Sequence, residues 1–377
     1  MPSLADDVDR GMKCIFGGNM LPNFFTCSLK DEAISEVKAS AGQTRVIQVP
    51  GVVFTLLVRR YASLPLMIAT QAMEEVAIGI NCYSAEGSEW VSRMKRAPGV
   101  PMDVDIKRLD RSFSGEEFLL CIAFTLQCAR WCGYSPDELS YLNTILFGMY
   151  KPVFCIRGSY FVADSLNASG HPLTALWNSI VCLSLYVRWY RANRLTFSPS
   201  EFRSDVTLSV YGDDAALVVR PPYGFQTVVE SFARSGFTAT PGRKEALTGD
   251  VSCVEELTFL KRTPRYHSGL GCYVMALDRK SIVKMVSWKL TSKFLSVLDH
   301  EVAMASNALW EAFLWEGDLV ERINACLPSD YLRVIVQPTL NGVRERFATG
   351  LIYPSDVEEI SLVNIQSLCV GAFPLRT

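Results

Sequence analysis

The stretch Asp-Val-Thr-Leu-Ser-Val-Tyr-Gly-Asp-Asp-Ala-Ala-Leu-Val-Val, residues 205–219, constrains this chain more than any other. Its two apolar arms, 206–210 and 215–219, flank Tyr-Gly-Asp-Asp. That pattern predicts a hairpin, with Gly212 supplying the backbone freedom a tight turn demands. Asp213 and Asp214 then sit side by side at the tip of arms bound for a core. Adjacent carboxylates repel one another and resist desolvation, and a bound divalent cation answers both problems. A solvated Asp-Asp turn is the plain alternative.

Asp105 tips the balance toward a metal. Residues 102–107 alternate Asp103, Asp105 and Lys107 with Val104 and Ile106, the period of a strand, and Asp110 follows five residues after Asp105. Carboxylates from two neighbouring strands can clamp two Mg²⁺ ions, one activating an attacking oxygen and one stabilising a leaving one. A third segment, Ser169-Gly-His-Pro-Leu-Thr-Ala-Leu-Trp-Asn178, reads as a mobile Ser-Gly loop feeding a helix. Thr174 and Asn178 lie one turn apart on that helix. With Asp110 they form a candidate reader of a ribose hydroxyl.

The surrounding pattern supplies the scaffold. Ser114 and Glu117 form a capping box, and Phe118, Ile122, Thr125 and Ala129 continue as a helical stripe to a stop at Gly133. A second helix starts near Pro172 and runs toward Arg194. Residues 46–58 read as strand, 225–235 as helix closed by Gly236, and 237–240 as strand. A further hairpin is expected around residues 267–271, and the pattern turns helical from about Lys280. Strands interleaved with helices before a helical end predict an α+β body with an all-α C-terminal lobe.

Composition narrows the function classes. The 377 residues carry 37 Lys+Arg against 39 Asp+Glu, so any nucleic-acid surface must come from local clusters. Two such clusters stand out. One is Lys261, Arg262, Arg265, Arg279, Lys280, Lys284, Lys289 and Lys293; the other is Arg188, Arg191 and Arg194, interleaved with Trp189 and Tyr190. Only three histidines (His171, His267, His300), far apart, leave little for a zinc site or a Ser-His-Asp relay. Cys121, Cys128 and Cys132 share a helical face but lack a fourth ligand, so small buried hydrophobes are the preferred reading. The N-terminus is acidic, unlike a signal peptide, and no apolar run is read as long enough to span a membrane. The expected class is soluble and intracellular.

Six segments in this order resemble the motifs of viral RNA-dependent RNA polymerases of the picornavirus-like supergroup, in a pattern similar to dicistrovirus- and marnavirus-type enzymes. Cys27-Ser-Leu-Lys-Asp-Glu32 with Lys38 and Gln-Thr-Arg45 resembles the fingers motif whose basic residues hold the incoming triphosphate. Asp105-x4-Asp110, 169–178 and Tyr211-Gly-Asp-Asp214 resemble the first three palm motifs. Thr240-Pro-Gly-Arg-Lys244 resembles the T-P-x-x-K loop, and Thr258-Phe-Leu-Lys-Arg262 the primer-gripping hairpin.

The resemblance implies an α+β right hand with an antiparallel palm sheet. It puts fingers at 1–95 and 131–165, palm at 96–130 and 166–277, and a helical thumb at 278–377. Asp105 and Asp213, supported by Asp214, would hold two Mg²⁺ ions, with Mn²⁺ a possible substitute. Lys38 and Arg45 would grip the triphosphate. Ser169, Gly170, Asp110, Thr174 and Asn178 would bind the nucleotide and check its 2′-hydroxyl. Lys244 would protonate the leaving pyrophosphate, and Lys261 and Arg262 would contact the primer strand. Implied partners are template and nascent RNA, ribonucleoside triphosphates, and a protein primer or a second polypeptide. The implied location is the host cytoplasm, in replication complexes that reach membranes through partners.

Departures from the motifs bear on nucleotide affinity: Ile34 and Gln43 stand where relatives carry basic residues, Ala215 where they often carry asparagine, and Lys107 and Arg108 intrude between the first-motif aspartates. The Lys-Asp-Glu segment also arrives early, at residue 30, which implies a fragment, a split product or a reduced fingers lobe. A reverse transcriptase and a non-catalytic RNA-binding remnant are the alternatives.

Overall fold

The computed structural model describes residues 3–21, 23–30, 32, 34, 36–163, 166–194, 196–243, 246–288 and 296–350. Contacts divide the chain into two units, 1–80 with 92–264, and 81–91 with 265–377. In chain order the elements begin α1 (Leu4–Phe16), β1 (Phe24–Leu29), α2 (Glu36–Ser40), β2 (Val46–Pro50), α3 (Val52–Ala72) and α4 (Ala85–Arg96). They continue β3 (Val100–Ile106), α5 (Gly115–Trp131), α6 (Pro136–Phe147), β4 (Val153–Ile156), β5 (Ser159–Val162), α7 (Thr174–Ala192), α8 (Pro199–Asp205), β6 (Val206–Tyr211) and β7 (Asp214–Val219). Then follow α9 (Phe225–Arg234), β8 (Ala239–Pro241), β9 (Arg262–His267), β10 (Cys272–Leu277), α10 (Arg279–Ser287), α11 (Val297–Phe313), α12 (Leu319–Cys326), α13 (Ser329–Leu332) and α14 (Leu340–Thr349).

The first unit is built around the predicted hairpin. β6 and β7 pair from Val206↔Val219 to Tyr211↔Asp214, leaving Gly212 and Asp213 as a two-residue turn. Gly212 has φ +64, the positive value that the first position of a II′ turn requires. β7 continues into β3 and β3 into β8, giving an antiparallel sheet of order β6-β7-β3-β8. α7 and α9 cover it, burying Trp177, Tyr186, Trp189 and Phe232 in one apolar cluster with β3, β6 and β7. Each large apolar side chain removed from water there is worth about 1.5–3 kcal/mol. A second sheet, β2-β1-β4-β5, joins residues 24–50 to 153–162.

Local signals hold well. Ser114 caps α5 with the predicted reciprocal bond from Glu117, and Gly133 follows with φ +82. Cys121 and Cys128 turn into the core, where burial pushes their thiols up. Three expectations are corrected. Residues 46–58 are not one strand, because β2 ends at Pro50 and α3 starts at Val52. α7 starts at Thr174 rather than Pro172, since side chains of His171 and Thr174 close the preceding turn. And among the described residues one helix, α3, is long and apolar enough to cross a membrane by length and composition. It carries Arg59 and Arg60, buries Phe54, Leu57, Val58, Tyr61 and Ala62 in the protein core, and leaves Val52, Leu56, Leu64, Met67 and Ile68 exposed.

The second unit is helical apart from its strand content at β9–β10, with Ile282, Ala305, Ala308, Leu309 and Ile323 in its main cluster. Residues 81–91 belong to it through Tyr83, which donates to Glu311, and Asn81 Nδ2, which donates to Gly350 O at 2.7 Å. The unit boundary lies at 264/265, whereas the change of sequence pattern marks 277/278.

Candidate active site

Two cavities in the first unit gather most of the predicted residues. The larger, about 740 Å³, is lined by Lys30, residues 42–47, Arg108, Asp110, Arg111, Ser169, Thr174, Asn178 and Asp213. The smaller, about 360 Å³, is lined by Asp105, Tyr211, Asp213, Asp214, Gly242, Thr258, Leu260 and Lys261. Asp213 belongs to both.

The sheet register delivers the carboxylates. Asp105 pairs across β3–β7 with Asp214, and Ile106 N–H donates to Asp213 O at 2.8 Å. α7 braces the turn from behind, where Ser179 Oγ accepts from Gly212 N–H at 2.8 Å. Burial, reinforced by the charges of Asp105 and Asp213, pushes the Asp214 carboxyl up to about 7, against the opposing bond from Leu260. Among the described residues no three metal-binding side chains form a ready-made cluster. The donor set nevertheless suits a divalent cation, because Asp105, Asp213 and Asp214 bring hard oxygens to one cavity and their mutual repulsion is what such a cation relieves.

Asp103 does a different job from Asp105. It is fully buried, accepts from Gly242 N–H at 3.2 Å and Thr258 N–H at 3.0 Å, and lies 3.5 Å from Arg243 Nε. It thus ties the loop after β8 and the turn before β9 to the sheet. That turn carries positive φ at Leu260 (54) and Lys261 (58), and Leu260 N–H is held by Asp214 Oδ2 at 2.5 Å. Lys261 is exposed at its tip. Arg262 is the correction: it is only 7% exposed and lines neither cavity, so it is not placed to lie along a nucleic-acid backbone. A strand that starts at Arg262 turns alternate side chains inward.

In the larger cavity, Asp110 sits in a short 3₁₀ turn, its carboxyl pushed up by burial with Asp213 adding to the effect. Thr174 donates to Ala168 O at 2.7 Å, and Asn178 Oδ1 accepts from Asn167 Nδ2 at 2.7 Å. Ser169 is bonded to β2: its N–H and Oγ donate to Gln48 Oε1 at 3.1 and 2.8 Å. Gly170 passes so close to β2 that a Cβ would overlap Gln48 O. Arg45 is engaged by Glu32, its Nε donating to Oε1 at 2.6 Å and its Nη2 to Oε2, which draws the Glu32 carboxyl down. The side chains of Lys38 and all of Lys244 lie outside the described residues, as do Lys289 and Lys293.

Sequence reasoning missed Gln48, Asn167, Ser179 and Arg111, and it read Arg108 as a departure although Arg108 lines the larger cavity. A lone glutamine inside Val-Ile-Gln-Val was the one readable signal. Four members of the basic clusters have partners within the protein. Arg188 pairs with Glu117 at 3.7 Å, Arg194 with Asp205 and Tyr223, and Arg265 and Arg279 each stack 4.5 Å from the Trp315 ring centre.

Behind Asn178, His171 Nε2 lies 2.6 Å from Asn167 Oδ1, and burial pulls the imidazole down to about 3. Between pH 6.5 and 3 the unfolded histidine binds a proton that the folded one refuses. Stability is therefore full above pH 6.5 and falls as pH drops through this window, by at most about 4–5 kcal/mol. Melting curves should show a shallower acid loss for His171→Gln, which keeps a donor and an acceptor without the titration. Parallel pH profiles would refute the assignment.

Compared with known proteins, the chain matches the family model described as viral RNA-dependent RNA polymerase over residues 12–328. It is 25% identical over 297 residues to the genome polyprotein of Ljunganvirus 1, covering 76% of this chain and 12% of that one. It is 23% identical over 355 residues to the replicase polyprotein of acute bee paralysis virus (strain Rothamsted), covering 88% and 18%. The replicase polyprotein of Drosophila C virus (strain EB) is 25% identical over 332 residues, covering 81% and 18%. The chain thus spans less than a fifth of each of these relatives. Among solved structures it is similar to the sicinivirus 3Dpol RNA dependent RNA polymerase, with TM-score 0.69 and 15% identity over 90% of this chain and 70% of that one. That likeness establishes the expected α+β right-hand fold.

Proposed function

Because the chain belongs to the family of viral RNA-dependent RNA polymerases, we propose that it performs template-directed RNA synthesis for viral genome replication and transcription. One observation carries this reading. Asp213 lines both the cavity with Asp105 and Asp214 and the cavity with Asp110, Thr174 and Asn178, so the carboxylate centre adjoins the ribose-reading residues.

Enzymes of this family generally use divalent metal ions. Asp105 and Asp213, with Asp214 in support, would hold two Mg²⁺ or Mn²⁺ ions, which supply activation of the 3′-hydroxyl and neutralisation of the leaving pyrophosphate. The chain's own groups do the rest. Asp110, Thr174 and Asn178 bind the ribose, with Ser169 and Gly170 shaping that wall of the cavity. Lys30, Arg45, Arg108 and Arg111 offset triphosphate charge where Ile34 and Gln43 do not, Arg45 by exchanging Glu32 for phosphate oxygens. Lys38 would join them, and Lys244 would hand a proton to the departing pyrophosphate. Lys261 contacts the nascent strand. The partners are template and nascent RNA, ribonucleoside triphosphates, and a protein primer or second polypeptide. The setting is the host cytoplasm, on replication complexes that reach membranes through those partners.

The test is incorporation on primed poly(A). Metal-dependent UTP incorporation with dUTP strongly disfavoured is the expected result. Equal use of both nucleotides would turn the reading toward a reverse transcriptase, and tight RNA binding with no incorporation under either metal would leave a binding remnant.

A further inference from the structure

Two buried side chains behind the nucleotide cavity, Asn167 and His171, take no part in the chemistry proposed for this site. Asn167 is wholly buried and His171 is 5% exposed. The hydrogen bonds through them run in one direction. Leu173 N–H donates to His171 Nδ1 at 3.1 Å, so that nitrogen carries no proton. With the ring held neutral by burial, the proton is on Nε2, which donates to Asn167 Oδ1 at 2.6 Å. Asn167 Nδ2 must then be the end that faces Asn178, and it donates to Asn178 Oδ1 at 2.7 Å. The planar Asn178 amide is left with its NH₂ as the end available to the cavity that it lines with Asp110.

We propose that His171 and Asn167 form a positioning relay that fixes the polarity of Asn178, so that the cavity selects a ligand hydroxyl accepting from Asn178 and donating to Asp110. The inference rests on the polymerase reading for the identity of that ligand, a ribonucleotide. A 2′-hydroxyl both accepts and donates, and a 2′-deoxy position does neither. Leu173 N–H sets the chain, because it alone decides which imidazole nitrogen is protonated.

Asn167→Asp tests the relay. A carboxylate still accepts from His171 but cannot donate to Asn178, so the Asn178 amide turns and faces the cavity with its oxygen. The ligand hydroxyl then meets two acceptors with one proton. UTP affinity, measured by titration calorimetry in Ca²⁺, should weaken about five- to tenfold, the worth of one hydrogen bond, with dUTP affinity unchanged. In an Asn178→Ala background the same substitution should change UTP affinity by less than about twofold, because coupled residues are non-additive. His171→Phe keeps the edge-on packing against Trp177, at 5.4 Å between ring centres, and should shift UTP in the same direction, which covers misfolding of the first variant. Equal losses for UTP and dUTP, additive losses in the double variant, or a parent protein that binds both nucleotides alike would each overturn the relay. Calorimetry reads these outcomes without turnover. A parent that prefers UTP but incorporates nothing on primed poly(A) therefore supports the relay while refuting the polymerase reading.

Discussion

Replacing Asp213 with asparagine is expected to abolish metal-dependent UTP incorporation while leaving the protein folded. Asp213 is exposed at the second position of a two-residue turn, outside the paired strands. Surface substitutions of this kind stay within about 0.5 kcal/mol in stability. Chemically the change is severe. Asparagine keeps the shape but loses the charge that draws a cation to the point where the two cavities meet. If that carboxylate supplies about 4 kcal/mol of the several a metal centre contributes, the rate falls about a thousandfold at 1.36 kcal/mol per tenfold. A second effect accompanies it. The Asp213 charge helps hold Asp214 near 7, so in the metal-free variant Asp214 should titrate at lower pH. Incorporation in Mg²⁺ and in Mn²⁺, run beside a melting curve, checks both halves. A folded variant retaining a tenth of the parent rate would sink the assignment of Asp213 as a metal ligand.

The centre of the site was legible because its determinants are local. The turn at Gly212 needs only a glycine between two apolar arms, and the alternation that aims Asp105 is visible in six residues. The cap at Ser114 is readable for the same reason. What surrounds these elements was decided by partners far away in sequence. Arg188 and Arg194 look like an RNA-binding row until Glu117, Asp205 and Tyr223 are brought to them. Asp103 shares a face with Asp105, yet backbone donors at Gly242 and Thr258 consume it. Residues 52–58 have strand-like composition and become helix because α5 and α6 offer an apolar surface to a helical stripe. Tertiary contact overrides propensity in each case.

Gly170→Ala shows how such a distant contact can govern the site. Gly170 does not need its freedom for a positive φ; it is absent from the residues in that region. It needs to lack a side chain. A Cβ there would overlap the carbonyl oxygen of Gln48 and sit 3.0 Å from Gln48 C and 3.2 Å from Val49 Cα. All three atoms are backbone of β2, so no rotamer change relieves the clash, and the neighbouring Ser169 is itself bonded to the Gln48 side chain. Either the loop lifts from the strand or β2 is displaced along its ladder with β1. Overpacking of this kind costs about 2–3 kcal/mol, which lowers Tm by about 5–10 °C in a unit of this size. The lifted loop also carries Ala168 and His171, whose carbonyls anchor Thr174, so KM for UTP should rise as stability falls. Gln48→Ala should fail to rescue the variant, because the obstacle is the Gln48 carbonyl and not its side chain. A Tm within a degree of the parent, or full rescue by Gln48→Ala, would show that the loop and β2 do not approach as closely as this. Side-chain packing, rather than backbone exclusion, would then be what holds this wall of the larger cavity in place.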